Sequence, residues 1–342
     1  MEWVWVTRIL KPINFPDKTP QPAHEAGNIS REAAELFIDD LVSNPELRIL
    51  AELYGLDDAG TDNYESLDQL KKLSNDNWDF RNGKERQEAA ETSFNEEETK
   101  SIIDAANALG MIDSSSPQRD SYDFCTVLGG ANRAPLLRVQ YAREQIDNNG
   151  VKVPYIILLG SSRPLSDLER EKTSDYAPGA QDEFDLMNGA VETVFGVVSD
   201  DEETIDLQNS SPKATDRDRW RVRYYEASDG TKILSVSAPQ IEGEKRVNTA
   251  DTYRFMHDIV GSEMLQGSSI LVVTSAIFVP FQHADALRLL GVPAKAQVET
   301  IGYDANYGGQ PEREPQALLQ EINSTLNQTK LLADELVKPK EL

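Results

Sequence analysis

Five short apolar runs, each closing on small or polar residues, constrain this chain more than any other feature. They read "FCTVLGG", "YIILLGSS", "ILSVSAP", "SILVVTSAIF" and "VETIGYD", between residues 124 and 304. Segments with helical spacing separate them, the order expected of strands in a sheet covered by helices. The expected fold class is α/β, a Rossmann-like, mostly parallel sheet with helices on both faces. In such sheets ligands bind beyond the carboxyl ends of the strands, where small residues let backbone approach and helix N-termini offer unpaired N–H groups. The five run ends are therefore expected at one edge of one sheet.

Residues 1–120 have another character and are expected to form an α-helical N-terminal region. Ser30 has the chemistry of an N-cap, and Leu36, Phe37, Leu41, Leu47, Leu50 and Leu53 recur near helical spacing, with Asn44-Pro45 breaking the run into two helices. Further on, Ile102, Ala106 and Leu109 share a face, and Gly110 stands where a C-cap belongs. The α/β domain is expected over 121–310, with a β-hairpin insertion near 217–237 turning at Asp229-Gly230. A C-terminal helix follows within 311–342, from about Glu314 to Leu336.

Charge narrows the partners. Against 34 Lys and Arg stand 59 Asp and Glu, a net charge of −25, so long-range repulsion opposes nucleic acid and an anionic membrane face. The acidic helices are read first as packing elements, with a lid or a protein-partner surface as the alternatives. A single cysteine, Cys125, excludes an internal disulfide framework, and no stretch reads as a signal peptide or a membrane span. The expected setting is a reducing cytoplasm, with Cys125 a buried, inert thiol.

The stretch "CTVLGGANRAPLLR" carries the main site expectation. Gly129 and Gly130 follow a strand, Asn132 and Arg133 follow the glycines, and Arg138 falls about one turn after Pro135, a favoured first-turn residue. Backbone amides with arginine suit a small anionic ligand. The motif is neither a Walker loop, lacking Gly-Lys-Ser/Thr, nor a full dinucleotide fingerprint, lacking the third glycine. Arg163 follows Ser161 and Ser162, and Arg246 follows "SAPQIEGEK", so an arginine stands after three of the runs. Guanidinium groups there favour phosphate or carboxylate; the alternative is pairing with Asp167, Glu169 or Glu242. Arg219, Arg221 and Arg223 alternate with Trp220, Val222 and Tyr224, a row read as solvated or locally paired rather than as a second anion site.

Other chemistry ranks lower. His24, His257 and His283 are too scattered for a metal motif, "SDDEE" at 199–203 reads as a solvated charge run, and no metal is expected. Ser275, His283 and Asp304 make the one Ser/His/Asp set, without a Gly-x-Ser-x-Gly elbow, and Ser275 is read as a helix cap rather than a nucleophile.

The order "VLGG", Arg138, "LLGSS", "QDEFDLMNGA", "VNTADTYRFM" and "ILVVTSAIFVPFQHADALRLLG" resembles the YdcF-like family of bacterial α/β proteins (domain of unknown function 218), with SanA and ElyC, over roughly residues 123–305. The resemblance aligns Gly129, Gly130, Arg138, Asn248, Thr249, Thr274 and Ser275 with that family's motifs and makes Glu183 the acidic counterpart. "GSS" at 160–162 replaces a second glycine pair, and Phe278 and Phe281 occupy the His and Arg places, with His283 two residues on. It implies a Rossmann-like fold and no fixed reaction.

The resulting expectation is a small-molecule-binding α/β protein with a phosphorylated or nucleotide-like ligand. The 129–133 loop, Arg138, Ser161–Arg163, Arg246, Asn248-Thr249 and Thr274-Ser275 would hold it. As a transferase or hydrolase it would draw general acid or base from Glu183, His283 or Asp304; the alternative is a non-catalytic sensor or scaffold. No cofactor is specified.

Overall fold

The computed structural model describes residues 23–56, 60, 62–81, 92–198, 204–207, 220–239, 247–309, 311 and 313–338. Asn44 separates two helices, α1 (Ala23–Ser43) and α2 (Pro45–Leu53), because its side chain accepts the Leu47 N–H at 2.9 Å and Pro45 sits where a missing N–H costs nothing. The Ser30 cap does not form. The helix already begins at Ala23, so Ser30 lies inside it, buried. The buried stripe of α1 is Ala34, Ile38, Leu41 and Val42, while Leu36 is 59% exposed; at 3.6 residues per turn, a residue two places before Ile38 faces away from it. Leu53 is likewise exposed. Next come α3 (Asn63–Asn77), capped by Asp62, and α4 (Glu96–Ala108), capped by Asn95 in a reciprocal box with Glu98. Gly110 turns the chain out of α4 at φ +72°.

The sheet has seven strands: β1 (Phe124–Leu128), β2 (Tyr155–Ser161), β3 (Thr204–Leu207), β4 (Trp220–Glu226), β5 (Lys232–Ala238), β6 (Ser269–Ser275) and β7 (Gln297–Tyr303). Their order is β3-β4-β5-β2-β1-β6-β7. β1 is parallel to β2 and β6, and β2 is parallel to β5, so these four strands end at one edge. β7 starts beside β6, with Gln297 N–H donating to Ser268 O at 2.7 Å. The insertion adds the antiparallel pairs β3–β4 and β4–β5, and the β4–β5 hairpin turns through Gly230 at φ +85°.

The helices of this unit are α5 (Ala134–Asp147), α6 (Asp167–Thr173), α7 (Glu183–Phe195) and α8 (Thr249–Val260). Neighbours along a strand point to opposite faces, so β4 assigns the covers. Trp220 meets Phe255 of α8, ring centroids 5.5 Å apart, whereas Arg221 pairs with Asp182 and Tyr225 donates to Asn188 of α7 at 3.1 Å. Thus α8 covers one face, and α7, packed on α5, covers the other. The arginine row is paired: Arg221 also lies over the Phe184 ring at 4.4 Å, and Arg223 faces Glu192 at 3.9 Å. Arg219 lies outside the described residues, as do 199–203 and 208–219 of the acidic stretch and Glu242. The strands bury Phe124, Ile156, Leu158, Ile233, Val236, Leu271 and Val273, each about 1.5–3 kcal/mol of transfer free energy.

The chain divides into two compact units. One contains the sheet, chiefly Ser116–Thr274 and Leu289–Ile301; the other comprises Asn28–Ser115, Ser275–Arg288 and Gly302–Leu342. The second is centred on the long helix α10 (Pro315–Val337), which packs against α3, α4 and the short helix α9 (Val279–Ala286), burying Leu318, Leu319, Ile322, Leu326 and Leu332. Among the described residues no helix is long and apolar enough to cross a membrane.

Candidate functional site

Gly129 leaves β1 where a side chain has no room. A Cβ there would overlap Glu183 Oε1 and approach Leu159 O to 2.9 Å. At the end of β2, a Cβ on Gly160 would come within 2.7 Å of Met187 and 3.5 Å of the Glu183 carboxyl carbon. Both strand ends are therefore glycine to admit α7, and above all its first residue.

Glu183 is 9% exposed and receives the Ser161 hydroxyl at 2.5 Å and the Gly130 N–H. Burial raises its pKa above the ordinary carboxylate value, against the Ser161 hydrogen bond, the charges of Arg163 and Arg138 and the Gly130 N–H, which pull it down. Asp182, not Glu183, caps α7, in a reciprocal box with Asp185. That division of labour leaves Glu183 turned toward the ends of β1 and β2.

The arginines have partners of their own. Arg138, 3% exposed, donates to Leu128 O at 3.0 Å and to Gly129 O, tying the loop to α5. Arg133 pairs with Asp175 at 2.8 Å and lies 5.7 Å from the Tyr176 ring centroid. Arg163 pairs with Glu169 at 2.8 Å, one of the local pairs weighed from sequence. Asn132 has φ +54°, unusual for a non-glycine residue, and its carbonyl accepts from Tyr176 OH at 2.8 Å. Arg133, the residue before α5, makes no capping bond through its side chain.

A second polar chain runs beside the first. Ser162 Oγ lies 2.7 Å from Ser237 Oγ and accepts from Arg221 at 3.1 Å, while Arg221 also pairs with Asp182. Sequence reasoning missed Asp182, Arg221 and Ser237 as one group. The available signal was the second serine of "ILSVSAP", on a strand paired with the arginine-bearing one.

The remaining candidates make other contacts. Asn248 caps α8, accepting the Asp251 N–H at 3.1 Å, and Thr249 is that helix's first residue. Thr274 is fully buried at the end of β6, its hydroxyl without a hydrogen-bond partner among the described residues. Ser275 precedes the turn Ala276–Phe278 and makes no side-chain cap, so the expected capping role is corrected. In the helical unit, Asp304 accepts from Ser114 Oγ at 2.9 Å and from the Tyr307 N–H at 2.9 Å. There too His283 packs edge-on against Phe37, centroids 5.2 Å apart, and loss of water around the ring pushes its pKa down to about 4. Arg246 lies outside the described residues. Cys125 is buried, which pushes its thiol up to about 12.

Residues 25–110 match the Rv3785 N-terminal domain. The chain is 33% identical over 240 residues to Uncharacterized protein Rv3785 of Mycobacterium tuberculosis and, with the same figures, to Uncharacterized protein Mb3814 of Mycobacterium bovis. Those alignments cover 69% of this chain and 66%, just under two thirds, of each relative. No solved structure matches. The YdcF-like resemblance is thereby overturned. The similarities found are to Rv3785 proteins, and the first third, which has no place in the YdcF-like pattern, is the part a family model matches. Short glycine turns at strand ends recur on unrelated α/β sheets, so their order was too weak a signature.

Proposed function

We propose that this chain is a small-molecule-binding α/β protein whose ligand sits at the carboxyl ends of β1 and β2, and that it acts on that ligand as a transferase or hydrolase with Glu183 as general acid or base. The observation carrying this reading is the Glu183 carboxyl group, buried at the strand ends between Gly129, Gly130 and Ser161 with its pKa raised. A phosphorylated or nucleotide-like ligand suits the nearby Arg133 and Arg163, whose ion pairs are partly solvent-exposed and open to exchange. The single buried thiol favours a reducing cytoplasm as the working compartment.

A second reading, a ligand sensor or scaffold, is favoured by the same arginines being satisfied internally. In that case the acidic helices of residues 28–115 would engage a protein partner.

Native mass spectrometry before and after denaturation tests both. The expected result is a small molecule released on unfolding and turned over by the wild type, with Glu183→Gln retaining it but slowed roughly 100- to 10,000-fold. Stoichiometric retention without product selects the sensor. Absence of any retained or added small-molecule ligand overturns the ligand-binding reading.

A further inference from the structure

The groups that an anion would use at the ends of β1 and β2 already hold one, supplied by the chain itself. Gly130 N–H and Ser161 Oγ both donate to Glu183, Arg138 and Arg163 lend positive charge, and Gly129 lacks the Cβ that would exclude the carboxylate. We propose that this seat is the head-group site for a compact oxyanion, a carboxylate or phosphate monoester, and that Glu183 is an internal occupant which the ligand displaces. The inference rests on the ligand-site reading given above and adds how that site is kept closed.

Three features make displacement feasible. Glu183 is the first residue of α7, but the cap of that helix belongs to Asp182 and Asp185, so the side chain can swing out without loosening the helix start. Its backbone stays anchored, since Glu183 N–H donates to Arg163 O at 3.0 Å. The seat also has a mouth, because Gly129, Gly130, Ser162 and Arg163 are all partly exposed while Ser161 and Glu183 are buried. A carboxylate stripped of water carries a desolvation cost that its hydroxyl, its amide and the charge of two guanidinium groups offset, and an incoming oxyanion that takes over those partners would return it to solvent. Once out, it lies beside the ligand, where an acid or base is required.

Thermal unfolding of the full chain tests this with formate, acetate and orthophosphate, each matched in ionic strength by chloride. Glu183→Ala empties the seat and is expected to show a saturable rise in melting temperature with formate or acetate that chloride does not give. The wild type should show the same rise at least tenfold higher in concentration, since the anion must first expel Glu183. Adding Ser161→Ala to Glu183→Ala should weaken the response about tenfold or more. Orthophosphate outdoing acetate would name a phosphate ester as head group, and the reverse order a carboxylate. A variant without a saturable response overturns the seat. A responsive variant beside a wild type inert to all three anions reduces the seat to a structural clasp and overturns displacement. If Glu183→Ala does not fold alone, refolding yield with and without formate decides, and no rescue overturns the proposal. A wild type that retains another small molecule while ignoring these anions leaves the ligand-binding reading standing and refutes displacement alone.

Discussion

Glu183 and His283 are both ionisable and both candidates for proton transfer from sequence, yet their surroundings differ, Glu183 being buried and His283 partly exposed. Glu183 lies among donors: a hydroxyl, an amide and the fields of two arginines. His283 has the edge of Phe37 against its ring, and loss of water around that ring is what depresses its pKa. The comparison teaches that burial alone does not make a catalytic group. Polar partners that can exchange with a ligand do, and Glu183 has them in Ser161 and Gly130.

The largest expected effect separates the two by the sign of their pH response. His283 titrates near 4 in the fold against 6.5 ordinarily, so its stabilisation is present above 6.5 and is lost as pH falls toward 4. At about 1.4 kcal/mol per pH unit between those values, its share of the wild-type loss is at most about 3 kcal/mol, solvent contact at the partly exposed ring lowering it, and His283→Leu should flatten that part of the stability curve in urea titrations. Glu183 works the other way. Its raised pKa favours the fold below the ordinary glutamate value and penalises it as pH rises, so Glu183→Gln should gain on the wild type toward neutral pH. If His283→Leu leaves the acid limb unchanged, the contrast between the two sites breaks.

Next in size is Arg138→Met, which keeps the stem but removes the bonds to Leu128 O and Gly129 O. A loss of about 1.5–3 kcal/mol is expected by thermal unfolding, together with weaker orthophosphate affinity of the folded fraction by calorimetry, because the seat also loses the charge Arg138 lends it. Unchanged affinity at a lowered melting temperature would make Arg138 a structural tie and remove its charge from the seat.

Gly129→Ala follows, at about 1–3 kcal/mol from forced repacking against Glu183 and Leu159 O. The penalty should shrink in a Glu183→Ala background, and an identical cost in both would remove Glu183 as the reason for the glycine. Arg133→Ala should cost least, below about 1 kcal/mol, because its pair with Asp175 is solvent-exposed on both sides, 38% and 58%.

These residues also mark how far sequence reaches. The strands were legible because runs such as "YIILL" are continuously apolar, as strands covered on both faces are. Asn44-Pro45 and Asp229-Gly230 were legible because their chemistry is local. Gly129 announced that something comes close, but a glycine cannot say what. The expected visitor was a ligand phosphate, and the occupant is a side chain 54 residues downstream. The arginines posed the same problem: sequence places a guanidinium near a strand end, while whether it meets Glu169, a carbonyl or a ligand depends on packing. Ser30 and Leu36 were misread because the register of α1 is set from its start at Ala23, well before the apolar run.

The sheet order also sets a timetable for synthesis. β1 finds its first partner soon, since Phe124 pairs with Tyr155, but on the other side it pairs with Ile270, 146 positions later. At translation rates of 5–20 residues per second, that edge of β1 stays open for roughly 7–30 s on the ribosome. A row of unpaired backbone groups beside Phe124, Cys125 and Val127 is a template for pairing with another chain. A strand that lies inside the finished sheet is thus an open edge while the protein is being made.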